Sequence, residues 1–132
     1  MAEPIVVVRS VSMPPDEVWP YVSDGALWAR WQGRSCEIEP VPGGRFEMTM
    51  PDGAIASGRV LEVTEGRRIA FTWGWEGTPL APGSTKVEIV LHPDPSGGTR
   101  ITLTHSDLPE ELVDHHRGGW ERCLAKLAEQ GG

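Results

Sequence analysis

Histidine and cysteine are the side chains best able to move a proton, ligate a metal or attack a substrate near neutral pH. This chain holds four of the former and two of the latter. A metal site would draw on His105, His115, His116 and Cys123. Adjacent helical residues project about 100° apart, so His115 and His116 do not face one ion together. Neither HxxxH nor HExxH spacing occurs. No metal and no other cofactor is therefore expected. Nucleophilic catalysis has no better footing, because GxSxG is absent and neither cysteine has a neighbouring histidine to activate it. The pairs Gly43-Gly44 and Gly97-Gly98 join strand-like runs and open no helix, so they read as turns and not as phosphate cradles.

His105 and His116 remain. His105 shares the parity of Ile101 and Leu103, and His116 shares a helical stripe with Trp120 and Leu127. Both are expected to point inward. A buried imidazole stays neutral and could bond a buried group, orient a ligand or shuttle a proton on an enolisable substrate. The residues leave these three roles open, and no catalytic residue is assigned.

Tryptophan is the unusual component, with six against one Tyr and two Phe. Trp31, Trp73, Trp75 and Trp120 could wall a pocket or fill a core, with Met48 and Met50 as adaptable lining. A Gly118-Gly119 step lies inside a strong helix pattern, where each glycine costs about 1 kcal/mol relative to alanine. Either another backbone crosses closely there, or space is kept beside Trp120 for a strand or a guest. The expected ligand-binding set is Trp31, Met48, Trp73, Trp75, His105, His116 and Trp120.

The elements that must position these residues follow from periodicity. Ile5–Val11 reads as a strand. Pro14-Pro15-Asp16-Glu17 opens a helix that Pro20 should shorten or kink. Asp24 can cap a second short helix through Gln32. Period-two alternation then places Cys36 and Ile38, and next Phe46, Met48 and Met50, on one face. Further strands are expected over Ser57–Thr64, Arg68–Trp75, Thr85–His92 and Arg100–Ser106, separated by Gly/Pro turns. Asp107 and Glu110 have capping-box spacing. Leu112, His116, Gly119/Trp120, Cys123/Leu124 and Leu127 then line one helical face. This order predicts an α+β architecture, a curved antiparallel sheet of about six to seven strands wrapped on a long C-terminal helix.

The 132 residues suit one domain, 1–132. A net charge of −7 argues against nucleic acid or an anionic membrane surface as partner. No apolar run approaches the roughly 20 residues needed to cross a bilayer, and the first residues lack the pattern of a signal peptide. Membrane insertion is not expected. Cys36 and Cys123 read as reduced, mostly buried thiols of a cytoplasmic protein.

The succession MPPDEVW (13–19), DGALWARW (24–31), PGGRFEM (42–48), GRVLEV (58–63), RRIAFTWGW (67–75), GGTRITLTHSDLP (97–109) and HRGGWERCLAKL (116–127) resembles the family of activator of Hsp90 ATPase homologue-like proteins. That family lies in the START-like (SRPBCC, polyketide cyclase/lipid-transfer) superfamily. Pro20 departs from the pattern, where the family prefers a good helix former. The resemblance implies a helix-grip fold whose sheet and long helix enclose an elongated apolar cavity. It implies a protein that binds a small apolar, aromatic or lipid-like ligand. Two other functions stay open: a cyclase- or dehydratase-like enzyme using His105 or His116, and a chaperone co-factor of the Hsp90-activator type. A homodimer through exposed Trp or an edge strand also stays open.

Overall fold

The computed structural model describes residues 3–130. Seven strands, β1 (Ile5–Val11), β2 (Ser35–Ile38), β3 (Arg45–Thr49), β4 (Ile55–Thr64), β5 (Arg68–Trp75), β6 (Thr85–Pro93) and β7 (Thr99–Ser106), form one antiparallel sheet in the order β1-β7-β6-β5-β4-β3-β2. Helices α1 (Pro15–Ser23) and α2 (Gly25–Trp28) connect β1 to β2 and place these two strands at opposite edges. Helix α3 (Glu110–Gln130) closes the chain and packs across β1. This is the expected α+β helix-grip architecture.

Local chemistry explains the short helices. Pro15 occupies the start of α1, and Asp16 and Glu17 sit at its positive end. The helix runs through Pro20 and stays short at nine residues. The Asp24 side chain accepts from the Ala26 N–H and caps α2 as anticipated. α2 does not reach Gln32. After Trp28 the chain tightens into i→i+3 turns, with Arg30 N–H bonded to Leu27 O and Trp31 N–H to Trp28 O.

The expected capping box at Asp107 and Glu110 is not formed. Asp107 takes a left-handed conformation (φ 71°), the only non-glycine among the described residues to do so. α3 begins later, at Glu110, with the Pro109 carbonyl accepting from Leu112 N–H. Met50 likewise leaves the strand, because its N–H bonds Ala54 O and closes the β3–β4 turn.

Alternation holds where one sheet face is buried. Val87, Ile89 and Leu91 on β6, and Ile101, Leu103 and His105 on β7, are all buried. Between β3, β5 and the short helices lies an aromatic core. Trp28 stacks on Trp31 with ring centroids 5.0 Å apart, and Phe46 meets Phe71 at 4.4 Å. Their N–H groups are satisfied locally: Trp28 Nε1 donates to Gln32 Oε1 and Trp31 Nε1 to Tyr21 O. Met48 is fully buried in the same cluster.

Two kinds of glycine follow. A Cβ on Gly74 would run into the Ala81 carbonyl, and one on Gly58 into that of Thr72. A Cβ on Gly119 meets only the Arg122 guanidinium at 4.0 Å. No backbone crosses at Gly118-Gly119, so the close-approach explanation of that step is set aside. Gly74→Ala is expected to cost about 1–3 kcal/mol by overpacking. Gly119→Ala should stabilise by roughly 0.5–1 kcal/mol through helix propensity. Paired urea unfolding curves check both signs.

Candidate functional site

β5 ends in Trp73, Gly74 and Trp75, whose alternation turns both indoles toward α3. The loop beyond β5 fixes Trp75, since its N–H bonds Leu80 O and the Thr78 hydroxyl donates to the Trp75 carbonyl. Across from them α3 presents His116 and Trp120, one helical turn apart. From β7 comes His105, opposite Val87 on one side and Ile5 on the other.

These side chains interlock through five hydrogen bonds. Trp75 Nε1 donates to His116 Nε2 at 3.1 Å, and His116 Nδ1 lies 2.9 Å from Leu112 O. An indole N–H cannot accept and a carbonyl cannot donate, so His116 is neutral with its proton on Nδ1. Trp120 Nε1 donates to His105 Nδ1 at 3.0 Å. His105 Nε2 therefore carries the proton and donates to Thr85 Oγ1 at 2.9 Å, while that hydroxyl donates to Trp73 O at 2.7 Å. The two imidazoles are opposite tautomers, edge to face, with ring centroids 5.5 Å apart.

Burial and charge agree with this assignment. Burial first, and then the neighbouring His116, push His105 from its ordinary 6.5 down to about 3. Burial is also the main cause that lowers His116; the bond to Leu112 opposes it, and His115 adds to it. Neither ring carries a free lone pair or a positive charge at neutral pH. As arranged, neither is a general base.

Beside this cluster opens a cleft of about 380 Å³ between β5, α3 and the β3–β4 turn. Trp73, Trp75, His116, Gly119 and Trp120 border it. A second cleft of about 480 Å³ lies on the other flank, between Leu80, Pro109 and Leu112, and Trp75 and His116 border that one too. The Trp75–His116 pair is thus the partition between two solvent-open spaces.

Of the seven residues expected to bind ligand, Trp73, Trp75, His116 and Trp120 come together at the first cleft. His105 bonds Trp120 but does not border the cleft. Trp31 and Met48 lie in the aromatic core and are not brought to it. With Trp28, Phe46 and Phe71 they occupy the interior where the resemblance implies an enclosed cavity. Met50, anticipated as lining, does border the cleft; sequence reasoning missed Gln32 and the turn residues Pro51, Asp52 and Ala54. Periodicity carries no signal for residues outside regular elements.

Other candidate chemistry is not gathered. Among the described residues no group of three His, Cys, Asp or Glu could hold a metal ion. Both cysteines are free and half-buried. Burial raises the Cys36 thiol to about 12, with Glu37 adding to the effect, and burial raises Cys123 as well. Neither is an activated nucleophile. Arg68 joins Glu62 and Glu88 in an ion-pair group on the outer sheet face, remote from the cleft. No described helix is long and apolar enough to cross a membrane.

The sequence model of the activator of Hsp90 ATPase homolog 1-like proteins matches residues 12–131. No curated protein matches the chain by sequence. Among solved structures, protein MLL2253 from Mesorhizobium loti is similar at TM-score 0.86 and 23% identity, over 96% of this chain and 95% of that one. DynU16, from the dynemicin biosynthetic locus, is similar at TM-score 0.84 and 26% identity; 98% of this chain matches 47% of that longer one. The Aha1 dimer from Colwellia psychrerythraea is similar at TM-score 0.85 and 14% identity, over 98% and 96%. The first and third share the fold alone.

The histidine pair has a measurable signature. His105 takes up a proton less readily folded than unfolded, so its stabilising contribution is complete above pH 6.5 and lost as pH falls toward about 3. Stability should fall by roughly 1 kcal/mol per pH unit below that point from this residue alone. Thermal melts between pH 7 and 5 report it as a falling Tm. His105→Gln keeps an acceptor for Trp120 and a donor for Thr85. It should lower Tm at pH 7 yet flatten the dependence between pH 6.5 and 5. An unchanged slope would assign that dependence to other groups.

Proposed function

The chain belongs to the activator of Hsp90 ATPase homolog 1-like family, and from that membership and the site geometry we propose that it binds a small, neutral, largely apolar molecule in the cleft between β5 and α3. The observation that carries the reading is the convergence of Trp73, Trp75 and Trp120 on one cleft of about 380 Å³. Spaces of this size, with aromatic walls and few polar groups, are what small-molecule sites use. Flat indole faces favour flat guests. The two buried histidines nearby are neutral, and the ionic side chains that border the cleft, Asp52 and Arg122, are exposed.

The Gly118-Gly119 step supports the same reading. Gly119 borders the cleft, and what it leaves beside Trp120 is space. A side chain there would project into the volume a guest needs. The helix forgoes about 1 kcal/mol of propensity at that position, and the space is what it gains.

The cyclase- or dehydratase-like alternative needs a base with an available lone pair. Trp75 and Trp120 hold those of His116 and His105, which favours binding over turnover. The chaperone alternative rests on the family's name. Free thiols at Cys36 and Cys123 suit a reducing compartment such as the cytoplasm.

Gly119→Leu tests the reading, since Gly119 borders the cleft and a Cβ there meets no backbone. Native mass spectrometry of freshly purified wild type should show a co-purified small molecule, or quenching of Trp fluorescence should report uptake of the neutral dye N-phenyl-1-naphthylamine. The variant should lose about tenfold or more in dye affinity, about 1.4 kcal/mol, with an equal or higher Tm. Undiminished binding in the leucine variant would place the site elsewhere.

A further inference from the structure

The two clefts share one wall. Trp75 and His116 border both of them, together with the exposed His115. Trp73, Gly119 and Trp120 border the first cleft alone, and Leu80, Pro109 and Leu112 the second alone. Of the apolar side chains around these spaces, Trp75 is therefore the one that faces both ways. A residue that borders two spaces leaves a wall one side chain thick.

The ring and the backbone of Trp75 are held separately. Its N–H bonds Leu80 O at 2.7 Å, its carbonyl accepts from Thr78 Oγ1 at 2.8 Å, and it pairs with Ala56 of β4. The indole is held by one hydrogen bond, Nε1 to His116 Nε2, and by an edge-on contact with Trp73 at 5.5 Å between centroids. It is half-buried, whereas Trp73 and Trp120 are fully inside. Shortening this side chain therefore opens the wall without unfastening the end of β5 or hollowing the core. His116 stays on its own helix through the bond to Leu112 O. Beyond the wall the lining remains apolar, with Pro79, Leu80, Pro109 and Leu112.

Given a ligand in the first cleft, as proposed above, we infer that Trp75 limits its length. The indole ends the cleft on the side of Leu80 and Leu112, so the molecule taken is compact, a ring system without a long alkyl extension. An apolar chain gains from burial for each methylene that finds room. That gain stops where the chain meets the indole. With the ring removed, the chain would run on into a further space of about 480 Å³. Trp75 is thus a specificity-determining residue that acts through volume.

4-Alkylphenols from ethyl to decyl are neutral flat rings whose hydroxyl keeps to water at the mouth, so the chain is what enters. Each is titrated against bound N-phenyl-1-naphthylamine. In wild type, affinity should rise about fourfold per methylene and level off once the chain reaches Trp75. In Trp75→Ala the rise should continue to longer chains. The space vacated by the indole admits some chain by itself, so a second change separates the two effects. Leu112→Trp, at a residue that borders only the second cleft, should restore the shorter limit in Trp75→Ala and leave the wild-type limit where it is. Comparing chain lengths within each protein cancels any change in overall affinity. Trp75→Leu keeps an apolar group at the position and gives the same comparison if the alanine variant does not fold. An equal limit with and without the indole, or a longer limit that Leu112→Trp leaves in place, would overturn the length control while leaving the cleft as a binding site. Wild-type affinity that climbs through decyl would overturn it as well. Binding of no compound to any of these proteins would overturn the cleft reading along with it.

Discussion

Helix and sheet are joined by two indole-to-imidazole hydrogen bonds that run in opposite directions. Trp120 on α3 donates to His105 on β7, and Trp75 on β5 donates to His116 on α3. Each is a buried or half-buried polar pair whose loss would leave a donor and an acceptor unmet, which makes the network demanding of geometry. It sets the rotation of α3 about its axis and its register along β5 and β7. An apolar helix stripe alone would tolerate sliding by a turn. This pair of bonds does not.

The same constraint determines what the site can do. Holding both imidazoles neutral, in opposite tautomers, removes charge from the centre of the molecule and takes up both basic lone pairs. What would have been candidate acid–base groups become structural acceptors, and the cleft is bordered by indole rings together with the exposed side chains of Asp52 and Arg122. The partition formed by Trp75 and His116 keeps two adjacent clefts separate. The open space therefore sits at the helix–sheet seam and not in the interior.

The interior is occupied by aromatic volume. Trp28, Trp31, Phe46 and Phe71, with Met48, fill the region between β3, β5 and the short helices. Trp28 ends the one-turn helix capped by Asp24 and Trp31 follows in the next turn; Trp28 finds its N–H partner at Gln32 and Trp31 at Tyr21 O in α1. That local satisfaction lets two large polar-edged rings be fully buried. It also explains why four tryptophans that look alike along the chain divide so differently: Trp31 belongs to the core, while Trp73, Trp75 and Trp120 reach the cleft.

The chain's own pattern determined the order of its elements, the inward faces of the strands and the stripe of α3, because alternation and helical periodicity are local consequences of burying one face. It also determined that His105 and His116 would point inward. Element ends escaped it where hydrogen bonds closed turns early, as at Met50, or where Asp107 adopted a left-handed backbone instead of a cap. Only the tertiary structure decided which tryptophan meets which histidine, since those partners lie 15 and 41 residues apart. The tautomers followed from that pairing. So did the meaning of Gly118-Gly119, an oddity in sequence that becomes open space once no backbone is found to cross it. Pairing between distant donors and acceptors depends on the crossing of sheet and helix in space, and periodicity along one element does not encode it.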